Sequence, residues 1–76
     1  MQMENRIKDL RTDADLLQKE VASALGITQR KYSYIETGTQ LATEEILYKL
    51  AIFYQTSVDY ILRLTDEKHP YPRHKK

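Results

Sequence analysis

Apolar residues in this chain recur at spacings of three and four. Ile7 and Leu10 form one group, Val21, Ala22 and Leu25 a second, and Tyr32 and Ile35 a third. Ile46, Leu47, Leu50, Ala51, Phe53 and Tyr54 share one broad face in a fourth. The two-residue alternation of a half-buried strand is absent, so the pattern predicts an all-α fold. Cap residues divide it into five helices. The first covers residues 4–11, with Ile7 and Leu10 inward, followed by a polar turn over 12–15. The second covers 16–25, with Asp15 as cap and Gln18, three residues on, as its reciprocal partner. Gly26 ends it in the left-handed conformation. Thr28 caps a third helix over 29–37, which Gly38 ends. Thr43 caps a fourth over 44–54, with Glu44 and Glu45 in its first turn, where the helix dipole favours carboxylates. Ser57 caps a short fifth over 58–63. Prolines occur only at Pro70 and Pro72. Residues 1–64 therefore read as one helical domain and 65–76 as a basic, loosely held, proline-containing tail.

The third helix is unlike the others. At about 100° per residue, with Gln29 at zero, Ser33 falls at about 40°, Arg30 at about 100° and Tyr34 at about 140°. Tyr32 and Ile35 fall opposite, at about 300° and 240°. Tyr32 and Ile35 are thus expected to pack inward. Gln29, Arg30, Ser33 and Tyr34 form an outward strip, with Lys31 at its border. Glutamine can bond adenine in bidentate fashion and arginine can do so with guanine. Tyrosine can donate to a phosphate or lay its ring against a thymine methyl. A solvated helix face needs polar residues too, so the strip alone does not decide. The link Leu25-Gly26-Ile27-Thr28 adds to it, since two short helices joined by a tight glycine turn make a helix-turn-helix. The start of its second helix is the part that reaches a major groove. Gln18, at the start of the first, can offer its amide to a phosphate.

Length and charge bound the rest. Seventy-six residues make one domain at most, with a thin core. The net charge of +1 does not announce a nucleic-acid binder, so such a role must rest on a local patch. With no cysteine in the chain, disulfides and thiolate chemistry are excluded. No apolar run approaches a membrane span, and the chain reads as soluble and cytoplasmic. His69 and His74 lack a third ligand at sensible spacing. Asp13, Asp15, Glu44 and Glu45 read as cap and first-turn carboxylates. No metal, cofactor or catalytic site is expected, and no nucleophile–base pair can be assembled. Tyr48 and Ile52, four apart on a second face of the fourth helix, are candidates for a dimer contact. The basic tail can follow a phosphate backbone without specificity.

Five blocks, in order and spacing, resemble the Cro and phage-repressor type of helix-turn-helix, the Xre-like family of bacterial regulators. They are Arg6-Ile7-Lys8-Asp9-Leu10-Arg11, Gln18-Lys19-Glu20-Val21-Ala22, Leu25-Gly26-Ile27-Thr28, Ile35-Glu36-Thr37-Gly38, and Leu50-Ala51 followed by Ser57-Val58-Asp59-Tyr60-Ile61-Leu62. The resemblance implies a compact five-helix, lambda-repressor-like fold. It also implies sequence-specific binding to a two-fold symmetric double-stranded DNA operator, as a homodimer at least on DNA. Gln29, Arg30 and Tyr34 would read bases, with Ser33 beside them. Gln18, Thr28, Lys31 and the loop residues Thr39 and Gln40 would touch phosphate. Arg11 and Glu36 would form an ion pair tying the first helix to the end of the third. Where the family usually has Thr or Ser as second-helix cap, this chain has Leu17, which gives Asp15 that task. Tyr32 stands where an aliphatic residue is commoner, so its hydroxyl needs a partner or a path to water. The resulting reading is a transcriptional regulator, a repressor that blocks its operator. An antitoxin-type module and a helical adaptor that has lost DNA binding are the alternatives.

Overall fold

The computed structural model describes residues 5–69, and these form five α-helices and no strand. They are α1 (Ile7–Asp13), α2 (Gln18–Leu25), α3 (Gln29–Thr37), α4 (Glu44–Tyr54) and α5 (Val58–Ile61). Three of the five starts follow one device. The hydroxyls of Thr28, Thr43 and Ser57 accept from the backbone N–H of Lys31 (3.1 Å), Ile46 (3.2 Å) and Tyr60 (3.0 Å). Each satisfies a donor that the helix itself leaves unpaired.

The first two helices differ from expectation. α1 begins at Ile7, where Asn5 Oδ1 accepts from the Ile7 N–H at 2.9 Å. It runs on through Thr12 and Asp13, whereas residue 4 lies outside the described part. Asp15 does not cap α2. It sits in the left-handed region at φ 59°, two residues ahead of the cap position, and turns the chain there. The cap position falls on Leu17, which has no acceptor to offer. Half of a capping box remains, because the Glu20 carboxylate accepts from the Leu17 N–H at 2.7 Å. Glu20, not Gln18, is thus the reciprocal partner.

Gly26 ends α2 at φ 75°, with the Ile27 N–H reaching back to Ala22 O at 3.0 Å. A Cβ there would meet nothing within 4 Å, so the demand for glycine is conformational rather than steric. Gly38 ends α3 in the same way at φ 84°. α5 stops at Ile61, two residues short of the expected end, because Arg63 turns left-handed and the Leu64 N–H closes onto Asp59 O at 2.8 Å.

One core joins all five helices: Ile7 and Leu10, Val21, Ala22 and Leu25, Tyr32 and Ile35, Ile46, Leu50 and Ala51, and Ile61. α2 packs on α3 and α4, α1 on α3, and α4 on α5. Phe53, placed by its spacing on the core face of α4, is 42% exposed. It stands in the last turn and borders two shallow surface grooves. Its ring packs edge-on against Tyr54 at 4.9 Å between centroids. Tyr54 and Leu47 are half-buried against the core.

The segment after Leu64 folds back on the domain. Arg6 donates to Thr65 O (2.9 Å) and to Asp66 Oδ1 (2.8 Å), and its guanidinium lies 4.1 Å from the centre of the Tyr60 ring. The buried Thr56 hydroxyl donates to Lys68 O. Apart from His69, the basic run expected to follow a phosphate backbone lies outside the described residues. No helix among the described residues is long and apolar enough to cross a membrane.

Candidate nucleic-acid interface

α2 and α3 are joined through Leu25, Gly26, Ile27 and Thr28. Leu25 is buried and Ile27 packs at the edge of the core, so the link is anchored on both sides of the glycine. α3 is divided along its length. Tyr32 and Ile35 are 0% and 1% exposed, and they fix the rotation of the helix about its axis. Gln29, Arg30 and Tyr34 are exposed on the other side, with Ser33 and Lys31 half-buried at the borders of that strip.

Within the strip, Arg30 and Tyr34 are already in contact. The Arg30 Nε–H donates to Tyr34 Oη at 3.2 Å, one helical turn apart. The guanidinium carbon is 5.8 Å from the ring centre, near the limit of a useful cation–π contact. The hydrogen bond at the hydroxyl end is therefore the larger influence on this arginine.

In the last turn of α3, Glu36 gathers donors from three helices. Arg11 of α1 donates from Nε to Oε2 at 2.7 Å and from Nη2 to Oε1 at 3.1 Å. Gln18 of α2 donates from Nε2 to Oε1 at 3.0 Å. Tyr32 of α3 donates its hydroxyl proton to Oε2 at 2.7 Å, which supplies the partner a buried tyrosine requires. The Arg11 Nη1–H also donates to Leu16 O at 2.9 Å, tying the α1–α2 turn to the same cluster. The Arg11 and Glu36 side chains are 15% and 3% exposed. Burial pushes the Glu36 carboxyl up, but the hydrogen bonds from Arg11, Gln18 and Tyr32 together outweigh it, and the net shift is downward. The bond to Glu36 raises Arg11. Burial first, then the bond to Glu36, raises Tyr32.

The residues flanking the strip are arranged as follows. The Thr28 hydroxyl accepts from the Lys31 N–H, which leaves its own proton free to donate outward. Gln18 is half-buried and uses one N–H on Glu36, keeping the second for another acceptor. Thr39 and Gln40 are exposed just after α3. The Thr39 hydroxyl is 2.9 Å from that of Thr37, and the Gln40 N–H donates to Tyr34 O at 3.0 Å, so the loop is fastened to the helix end. Tyr48 and Ile52 do not join this group. They are 64% and 40% exposed on α4 and line a groove with Ala24, Lys49 and Phe53, to which α3 contributes nothing.

Two features escaped the reading of the sequence. Tyr32 and Glu36 are four apart on one helix, a spacing at which side chains meet, and that signal was present. The approach of Gln18 to Glu36 is a contact between separate helices with no local signature.

The sequence model described as "Helix-turn-helix" matches residues 7–61. The chain is 44% identical over 50 residues to the cryptic phage CTXphi transcriptional repressor RstR of Vibrio cholerae, covering 66% of this chain and 45% of that protein. It is 35% identical over 65 residues to the uncharacterized HTH-type transcriptional regulator YobD of Bacillus subtilis, covering 86% of this chain and 58% of that one. The chain thus spans about half the length of these two curated relatives. No solved structure matches. With the two glycine-ended helices, the inward Tyr32 and Ile35 and the family match over all the described helical residues, the chain belongs to the Xre-like helix-turn-helix family of DNA-binding regulators.

Proposed function

We propose that this protein is a transcriptional repressor that lays α3 in the major groove of a specific operator. Gln29, Arg30, Ser33 and Tyr34 face base edges. Gln18, Thr28, Lys31, Thr39 and Gln40 meet the flanking phosphates. The observation that carries the reading is the division of α3. Two fully buried residues lock its rotation, and the polar side chains opposite are exposed and clustered. Phosphate contacts fix register and base contacts fix sequence, and this surface holds groups suited to each. Repression rather than activation is favoured by the likeness to a protein named as a phage transcriptional repressor.

Two protomers would bind half-sites roughly 34 Å apart, one turn of the duplex. The exposed Tyr48, Ile52 and Phe53 on α4 offer an apolar surface for pairing away from α3. The protein would act in the cytoplasm, where its operator lies.

Selection of bound duplexes from a random library tests the reading. A two-fold symmetric consensus with half-sites one turn apart is expected. Absence of any enriched sequence at low salt would remove the operator-binding role, and an enriched but asymmetric site would remove the symmetric dimer.

A further inference from the structure

We propose that Tyr34 is a positioning residue for Arg30, and that the pair presents only one edge of the guanidinium to the duplex. The inference rests on the base-reading role proposed above for α3 and specifies how one of its residues does the reading.

An arginine can engage the O6 and N7 of guanine in two ways. It can use the terminal pair Nη1 and Nη2, or the lateral pair Nε and one Nη. In this structure the Nε–H is already committed, donating to Tyr34 Oη at 3.2 Å. The lateral edge is therefore occupied by a neighbour on the same helix. The terminal fork is the edge left to face a base.

The arrangement also removes freedom. A free arginine spreads its guanidinium over many rotamers, and ordering it on binding lowers the affinity gained from each contact. Tyr34 lies one turn away on the same face, close enough to hold the guanidinium before DNA arrives. Its ring contributes little directly, because the guanidinium carbon is 5.8 Å from the ring centre. The hydroxyl, rather than the ring, is the working group. The backbone of Tyr34 is held at the helix end, since its carbonyl accepts from Gln40 N–H at 3.0 Å and from the Thr37 hydroxyl at 3.2 Å.

On this account Tyr34 selects no base of its own. It sharpens the preference of Arg30 for guanine. An independent reader would instead carry a preference at a second position.

Base preferences of the full chain are measured by library selection, followed by affinities for the selected site and for the site with its guanine replaced. Four proteins are compared: wild type, Tyr34→Phe, Arg30→Ala and the double variant. Arg30→Lys, with and without Tyr34→Phe, is added because it keeps the charge and lacks the Nε–H. Tyr34→Phe keeps the ring on an exposed position, and an unchanged melting temperature confirms the fold. Arg30→Ala is expected to abolish a guanine preference of roughly ten- to a hundredfold. Tyr34→Phe is expected to keep guanine as the preferred base while reducing that preference roughly three- to tenfold. In the Arg30→Ala background the same change should have no effect on base preference, and in the Arg30→Lys background its effect should be smaller than in wild type.

Tyr34→Phe altering a different position while leaving the guanine preference whole would overturn the proposal in favour of a separate reader. Equal effects of Tyr34→Phe with and without Arg30 would overturn it as well. Wild-type protein without any sequence preference would instead overturn the base-reading role on which the proposal stands.

Discussion

Tyr32 Oη lies 2.7 Å from Glu36 Oε2, one turn further along α3, and donates its proton to that carboxylate from a fully buried ring. The aromatic ring fills the core while its hydroxyl completes a set of donors supplied also by Arg11 and Gln18. Tyr32→Phe keeps the ring and removes one donor from a buried charge. Hydrogen bonds to charged groups contribute more than neutral ones, so the loss should be about 2 kcal/mol. A lower urea midpoint with an unchanged slope checks this. An unchanged midpoint would mean that Arg11 and Gln18 suffice for Glu36.

Stability should fall on the acid side through Glu36. Burial raises its carboxyl, the three donors more than offset that, and the folded value lies below the usual carboxylate range. The unfolded carboxyl titrates at about 4.3. Between the two values the unfolded chain binds the extra proton, so stability rises with pH across that interval. Its contribution is fully present above about pH 4.3 and is lost as pH falls through the folded value. Denaturation followed from pH 7 downward should show this limb, and Glu36→Gln should flatten it while lowering stability at pH 7, because Arg11 loses its buried counter-charge.

Much of the fold was legible because its signals are local. Gly26, Gly38, Thr28, Thr43 and Ser57 each act within a few residues, and each marks a helix end where its neighbours predict one. The division of α3 was legible for the same reason, since period alone separates Tyr32 and Ile35 from Gln29, Arg30 and Tyr34. What escaped was decided by contacts across the molecule. Asp15 has the chemistry of a cap, but the tie of Arg11 to Leu16 and Glu36 shapes the turn before α2 and makes Leu17 the cap position. Phe53 satisfies the periodicity of α4 and still faces outward in its last turn. Local pattern also gave no hint that Arg6 and Thr56 fasten the segment through Lys68.

Tyr54 carries a buried hydroxyl that meets no hydrogen-bond partner among the described residues. Such a group is destabilising, so Tyr54→Phe should leave stability at neutral pH unchanged or raise it by about 1 kcal/mol. Burial pushes the Tyr54 hydroxyl up to about 12, with the Glu36 charge adding to that and the Arg11 charge opposing it. A phenol raised on folding keeps its proton longer in the folded state. The cost of burying it is therefore smallest below the unfolded value of about 10 and grows as pH rises through the folded one. Wild type should weaken over that alkaline interval, and Tyr54→Phe should weaken less. Tyr32, also raised, keeps its own share of the effect.

Leu17 occupies the N-cap of α2 with extended backbone, φ −87° and ψ 153°, and is 57% exposed. The position has the backbone of a cap without its chemistry, and little apolar burial is at stake. Leu17→Ser supplies an acceptor for the N–H groups of the first turn while Glu20 completes the box from the other side. A gain of about 1 kcal/mol is expected, read as a higher urea midpoint. No gain would mean that the first-turn donors are already satisfied in solution.

On the proposed reading of α3, Lys31 at the border of the strip meets phosphate rather than a base, and its truncation tests that division. Its backbone N–H is held by the Thr28 hydroxyl at 3.1 Å, an attachment that truncating the side chain leaves in place. Lys31→Ala should therefore fold normally. A phosphate contact releases bound counterions without regard to sequence. Removing it should weaken binding to every duplex by a similar factor and reduce the slope of log affinity against log salt by about 1. The consensus selected from a random library should stay the same. A changed consensus with an unchanged salt slope would move Lys31 from the phosphate border of the strip into the groups that read bases.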